Sequence, residues 1–111
     1  MHVIADICVV PITGRVSVRD EVKIAYDILR ATGLPVHLHA YGTNIEGDYD
    51  AVFLALKRVH QTLHRNGVQR ISTTIRVGSR TDKEQTIKDK VDAVMNTEKL
   101  ADVIPIEEAK A

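Results

Sequence analysis

The segment Tyr41–Asp50 carries the densest polar chemistry of the chain, with two glycines, a Thr-Asn pair and three carboxylates. Its hydroxyl, amide and carboxylate groups could recognise a polar or cationic small molecule through hydrogen bonds. The glycines permit a sharp turn or a close approach of the backbone to a ligand. Because loops carry binding residues more often than the elements they connect, this segment is a candidate ligand loop. The alternative is structural, with Asp48 capping the next helix and the glycines making the turn.

A second polar segment, Arg76–Lys83, places three cations and Gly78 just before a predicted helix. Such a site could hold a phosphate or a carboxylate through backbone N–H groups and the helix dipole. The alternative is a strand-to-helix turn with solvated charges, in which Thr81 and Glu84 form a capping box.

Histidine and cysteine provide two further possibilities. His37 and His39 fall on one side of a predicted strand, and His60 and His64 lie one turn apart on a predicted helix. Both spacings can ligate zinc, but the two pairs are expected on opposite sides of the sheet, so no metal site is predicted. Cys8 could act as a nucleophile beside a strand histidine, although a free cysteine is more often a small buried hydrophobe.

Composition restricts the class of protein. A chain of 111 residues with 44% hydrophobic and 27% charged residues suits one soluble globular domain. Lys+Arg and Asp+Glu balance at 15 each, which argues against a general nucleic-acid binder. The sequence has no signal-peptide pattern and no long apolar run, so a cytoplasmic protein without a membrane partner is expected.

Three helices are predicted from apolar residues spaced three and four apart. The first is expected to begin with Ser17 as N-cap and to end at Gly33. The second starts near Tyr49 and ends at Gly67, and Leu56 in the middle of its apolar stripe should be fully buried. The third should open at the capping box of residues 81–84. Its apolar face consists of Ile87, Val91, Val94 and Met95.

Strands are predicted over residues 3–12, 36–41 and 70–77, with a short strand over 44–46. The resulting order is βαββαβ plus a C-terminal helix, which is the ferredoxin-like α+β pattern of an antiparallel sheet with its helices on one face. One domain is expected over residues 1–100, followed by a polar tail over 101–111 that is loose or docks on a partner subunit.

Strand alternation assigns each residue to a face of this sheet. The face under the helices should carry Val3, Ala5, Ile7, Val9, Val36, Leu38, Ala40, Ile71, Thr73, Ile75 and Val77. The opposite face should carry Ile4, Asp6, Cys8, Val10, His37, His39, Tyr41, Ser72, Thr74 and Arg76. That mixed face is either solvated or a subunit interface containing a polar ligand pocket. The apolar third helix favours assembly.

The strand Asp6–Ile12, the loop Gly42–Asp48 and the segment Thr74–Lys83 resemble the YkoF-like family of small thiamine-binding proteins. The resemblance covers nearly the whole chain, from Ile4 to Met95. It implies a ferredoxin-like fold that assembles into homodimers and often homotetramers. It also implies a site at subunit contacts for thiamine or its hydroxymethylpyrimidine part, with neither catalytic activity nor a cofactor.

Carried onto this chain, the resemblance points to Thr43 and Glu46 in the loop and to Arg76 and Arg80 after it. Glu46 could accept from the amino group of an aminopyrimidine or lie near the thiazolium, and Thr43 can both donate and accept. The two arginines would suit an anionic ligand or an ion pair better. The full candidate ligand set is Tyr41, Thr43, Asn44, Glu46, His39, Arg76 and Arg80.

The sequence therefore predicts a non-catalytic binding protein for thiamine or a related hydroxymethylpyrimidine compound. One alternative is a homo-oligomeric interaction protein without a small ligand. A second alternative is a small enzyme that uses Cys8 or His39, which would require a nucleophile, a base and a third group that orients the base.

Overall fold

The computed structural model describes residues 1–110 as an antiparallel four-stranded sheet with two helices packed on one face. The strands are β1 (His2–Ile12), β2 (Val36–His39), β3 (Gly42–Asp48) and β4 (Arg70–Gly78). The helices are α1 (Arg19–Ala31), α2 (Tyr49–Arg65), α3 (Ile87–Met95) and the short α4 (Ile106–Ala109). The strand order β2-β3-β1-β4 confirms the ferredoxin-like prediction.

The core lies between the sheet and the helices α1 and α2. Its buried apolar side chains are Val3, Ala5, Ile7, Ala25, Leu29, Ile45, Val52, Ala55, Val59, Leu63 and Val68. The predicted helix-covered face is thus correct for the central strands. Leu38 and Val77 lie on the predicted side, opposite Thr43 and Ala5, but they are exposed because they belong to the edge strands. Ala40 is exposed and lies in the turn after β2. The expectation for Leu56 is wrong: this residue is half-buried at the margin of the α2 stripe.

Most of the candidate ligand loop belongs to a strand, because the short strand predicted over 44–46 extends to residues 42–48. Residues 42–48 form β3, an inner strand that pairs with β1 on one side and β2 on the other. A Cβ on Gly42 would lie 2.5 Å from the carbonyl oxygen of Ile7, and one on Gly47 would lie 2.8 Å from Cδ2 of Leu34. These glycines therefore allow close packing within the protein, whereas their polar neighbours made the segment look like a turn.

The ends of α1 and α2 agree with the sequence except at one cap. Asp48 caps α2 by accepting from the backbone N–H of Asp50, as expected. Gly33 and Gly67 follow the two helices with φ of 77° and 93°. The N-cap of α1 is Val18 and not Ser17, whose hydroxyl accepts a long hydrogen bond from Arg19 instead.

The N-cap of α3 is Thr86, five residues after the predicted N-cap Thr81. Its box consists of Thr86 and Asp89, because each side chain accepts from the backbone N–H of the other residue. The segment 80–85 is held in a non-helical conformation by bonds from Arg80 to Asp82 and Gln85. Thr81 and Glu84 consequently do not cap a helix.

The apolar face of α3 is open to solvent. Val94 and Met95 are each 75% exposed, and no residue of this helix is buried. Further exposed apolar residues follow in the C-terminal part, at Leu100, Val103, Ile104 and Ile106. Over residues 1–110, no helix has the length and apolar character needed to cross a membrane.

Candidate functional site

A row of polar side chains crosses the sheet face that α1 and α2 leave uncovered. Asn44 of β3 is paired with His37 of β2 and with Asp6 of β1, and Asp6 is paired with Arg76 of β4. Directly opposed residues of antiparallel strands point to the same side of a sheet. The register therefore brings an amide, a carboxylate and a guanidinium together on the two inner strands and β4.

Asp6 is the centre of this row. Its Oδ1 accepts from Nε2 of His39 at 2.7 Å and from Nδ2 of Asn44 at 3.5 Å. Its Oδ2 lies 3.7 Å from a guanidinium nitrogen of Arg76. The side chain is still 30% exposed, so the carboxylate remains able to accept a further hydrogen bond from a ligand.

A cavity of about 600 Å³ lies over this row. Ile4, Asp6 and Asn44 of the central strands contribute to it, together with β4, the segment 79–85 and Lys90 of α3. The volume is in the range of small-molecule sites, and such sites combine apolar walls with a few polar groups. A concave site of this size suits a small polar ligand better than it suits a flat contact with another protein surface.

Glu46 attaches α3, which carries the lining residue Lys90, to the sheet. It is almost fully buried, and Oε2 accepts from the backbone N–H of Ile87 at 3.0 Å. Nε2 of His2 lies 3.4 Å from the same oxygen. A carboxylate at the first turn of α3 is favourable because it satisfies an unpaired N–H and complements the helix dipole. Glu46 thus positions α3 beside the site.

Arg80 is also engaged within the protein. Its guanidinium donates to both carboxylate oxygens of Asp82 and, at 3.0 Å, to Oε1 of Gln85. The hydrogen bonds from Arg80 lower the pKa of Asp82 to about 2. This arginine therefore orders the segment between β4 and α3, and its donors are largely occupied.

The predicted ligand residues divide between two places. Asn44, Arg76 and Arg80 line the large cavity. Thr43 points to the opposite side of β3, where it lines a second cavity of about 220 Å³ with His39, Tyr41 and residues of α1. His39 contacts the large cavity only indirectly, through its bond to Asp6. Thr43 and Glu46 therefore do not meet in one site.

Sequence reasoning left five titratable lining residues out of the ligand set: His2, Asp6, Lys83, Glu84 and Lys90. Asp6 was detectable, because it is the one carboxylate in the otherwise apolar strand β1. Lys90 was not, because its place at the cavity depends on how the 79–86 connection folds α3 back over the sheet.

The remaining histidines and Cys8 are not assembled into a reactive centre. Nε2 of His60 bonds to the hydroxyl of Thr73 at 2.7 Å, and Nδ1 of His64 donates to the carbonyl oxygen of Val68 at 2.8 Å. Within the described part of the chain, no three His, Cys, Asp or Glu residues are grouped closely enough to hold a metal ion. Cys8 is half-buried, and the hydrogen bonds found over residues 1–110 include none between it and a histidine.

Comparison with known proteins gives consistent matches over most of the chain. The sequence model of the family described as thiamine-binding protein matches residues 5–95. The UPF0045 protein sll0230 of Synechocystis is 48% identical over 94 residues, covering 85% of this chain and 78% of that protein. The UPF0045 protein MJ1052 of Methanocaldococcus jannaschii is 35% identical over 92 residues, covering 83% of this chain and 91% of that protein.

Solved structures show the same architecture. The crystal structure of MJ1052 superposes with a TM-score of 0.79 at 33% identity, covering 86% of this chain and 98% of that one. A Thermotoga maritima protein provisionally assigned to thiamine biosynthesis or salvage superposes with a TM-score of 0.75, covering 85% of this chain and 99% of that one. Its identity is only 18%, so this second likeness establishes the fold alone.

Proposed function

The chain belongs to the thiamine-binding protein family, and we propose that it binds thiamine or a related hydroxymethylpyrimidine compound in the cavity on the open sheet face. In this proposal the protein is a carrier or sensor of the ligand and has no chemistry of its own. The observation that carries the proposal is the row of Asp6 and Asn44 beneath a cavity of small-molecule size.

The chemistry of the row is complementary to an aminopyrimidine. The ring presents an amino donor beside a ring-nitrogen acceptor, and an asparagine amide matches that pair, as it does on adenine. Asn44 is placed to supply this contact. Asp6 supplies negative charge for the thiazolium ring and a carboxylate that can accept from an amino group.

The proposed site includes a second copy of the chain. The cavity opens on the side of the sheet opposite α1 and α2. The apolar residues of α3 border the same side of the molecule, and no residue among 1–110 covers them. Contiguous exposed apolar surface is characteristic of subunit contacts. We therefore propose a homodimer or homotetramer in which the ligand lies at the subunit contact.

Binding is tested by calorimetric titration of the full chain with thiamine and with hydroxymethylpyrimidine. Asp6→Asn keeps the shape of the side chain and removes its charge. Because a charge-assisted hydrogen bond contributes about 1.5–3 kcal/mol, thiamine affinity should fall about tenfold or more. Asp20→Asn, on the exposed start of α1, is the matched control and should bind like the parent chain.

An unchanged affinity in Asp6→Asn, with circular dichroism and melting temperature also unchanged, would refute the assigned role of the carboxylate. Absence of binding to either compound by the parent chain would favour the alternative of an assembly protein without a small ligand. The enzyme alternative requires a Cys8–His39 pair that the described hydrogen bonds do not contain.

Assembly is tested separately by sedimentation velocity. Val91→Glu introduces a carboxylate into the proposed contact on α3, and burial of an unpaired charge costs several kcal/mol. The variant should shift the protein toward monomer at micromolar concentration, whereas Lys57→Glu on the exposed side of α2 should not. A parent chain that is monomeric under these conditions would contradict the proposal.

A further inference from the structure

The large cavity contains more positive than negative charge. Its lining includes four permanently cationic side chains but only two carboxylates. The cations are Arg76, Arg80, Lys83 and Lys90, and the carboxylates are Asp6 and Glu84. A ligand that is only a cation, such as unmodified thiamine, leaves this excess positive charge without a counter-ion.

The excess remains when the ion pairs of these residues are considered. Arg80 is paired with Asp82, and Arg76 shares the carboxylate of Asp6 at 3.7 Å while its side chain remains 86% exposed. Over residues 1–110, the ion pairs include none for Lys83 or for Lys90. Two ammonium groups without a direct ion pair therefore border the same cavity, on the connection before α3 and on its second turn.

The N-terminus of α3 is not the source of this attraction for anions. Its first N–H groups already have carboxylate and hydroxyl acceptors, since Ile87 donates to Glu46 and Asp89 donates to Thr86. The sequence suggested that an anion would bind the backbone at this helix start. Any anion bound here would therefore contact the lysine side chains and not the backbone N–H groups of the helix.

We propose that the ligand carries a phosphate group. Lys83 and Lys90 hold this phosphate in the cavity, and Arg76 completes the phosphate site. The identity of the ring part rests on the proposed function above. Asp6 and Asn44 would then face the cationic ring while the lysines face the phosphate. A phosphorylated thiamine, with a cationic thiazolium ring and an anionic phosphate, matches both charges of the cavity, whereas unphosphorylated thiamine matches only one.

Calorimetric titration of the full chain with thiamine, thiamine monophosphate and inorganic phosphate tests this inference. Thiamine monophosphate should bind at least about tenfold more tightly than thiamine, as charge-assisted hydrogen bonds to a phosphate predict. Raising the salt concentration should reduce this preference, because screening weakens exposed charge pairs. The double variant Lys83→Gln/Lys90→Gln should lose the preference and bind thiamine as the parent does. Lys57→Gln, on the exposed side of α2, should retain it.

Equal affinity for thiamine and its monophosphate would overturn the inference, and so would a preference that persists in the double lysine variant. A different result separates it from the proposed function. Suppose that neither thiamine compound binds, but that inorganic phosphate binds to the parent and not to Lys83→Gln/Lys90→Gln. The anion subsite then stands and the thiamine assignment fails.

Discussion

Glu46→Ala should loosen α3 without unfolding the rest of the domain. This helix has nine residues and none of them is buried, whereas isolated helices shorter than about 12–15 residues are marginal in water. It therefore depends on its capping box and on its attachment to the sheet. The hydrogen bond from the Ile87 N–H to the carboxylate of Glu46 is that attachment in the described chain.

The magnitude follows from the kind of bond that is lost. Glu46 is almost fully buried and accepts at 3.0 Å, and a hydrogen bond to a charged group contributes about 1.5–3 kcal/mol. The population of molecules with α3 undocked should then rise about 10- to 150-fold in Glu46→Ala. Glu46→Gln keeps a neutral acceptor at the same place, and neutral bonds are about half as strong, so its effect should be intermediate.

Hydrogen exchange of the amides of residues 87–95 measures this opening directly. All variants are compared at one protein concentration, with Glu98→Ala as the control because its exposed carboxylate lies beyond the end of α3. Exchange should accelerate in the order parent, Glu46→Gln, Glu46→Ala, while the amides of β1 change little. Identical α3 exchange in all four chains would show that Glu46 does not attach the helix.

Three further predictions concern the core, the strand packing and the charge cluster before α3. Leu63→Ala should lower the free energy of unfolding by about 2–5 kcal/mol in urea titrations, since Leu63 is fully buried, whereas Leu54→Ala, 57% exposed on the same helix, should change it by less than about 0.5 kcal/mol. Gly42→Ala should cost about 1–3 kcal/mol in the same assay, because its Cβ would lie 2.5 Å from a β1 carbonyl oxygen. The carboxyl of Asp82 should titrate by NMR with a pKa of about 2, and this pKa should return toward 3.8 in Arg80→Gln. Because the pKa in the folded state is depressed, the Arg80–Asp82 pair stabilises the fold at pH values above 3.8 and loses this contribution as the pH falls through about 2.

The elements with regular periodicity were predictable from the sequence. The strands β1 and β4 and the helix α2 place apolar residues at spacings that only one type of secondary structure can bury on one face. The stops at Gly33 and Gly67 were also predictable, because their φ of 77° and 93° is open to glycine without a Cβ penalty.

The bounds of two elements were misjudged because tertiary contacts override local preference. Residues 42–48 have the composition of a turn, yet all of them belong to β3, an inner strand whose glycines admit neighbouring atoms that a Cβ would exclude. The Thr81–Glu84 pattern has the spacing of a capping box, but Arg80 holds this segment in place and leaves the cap to Thr86. Spacing alone does not distinguish between two neighbouring candidate boxes.

The candidate site was only partly accessible to sequence reasoning, because strand alternation assigns a face correctly only when the strand is recognised. With the strand predicted only over 44–46, Thr43 lay outside it and could be combined with Glu46 in one site, although adjacent residues of a strand alternate between faces. Once β3 is a strand, Asn44 joins Asp6 and Glu46 moves under α3, while Thr43 moves to the helix side. The revision replaces one carboxylate by another at the centre of the site, and it is why Asp6→Asn tests ligand recognition while Glu46→Ala tests the wall beside it.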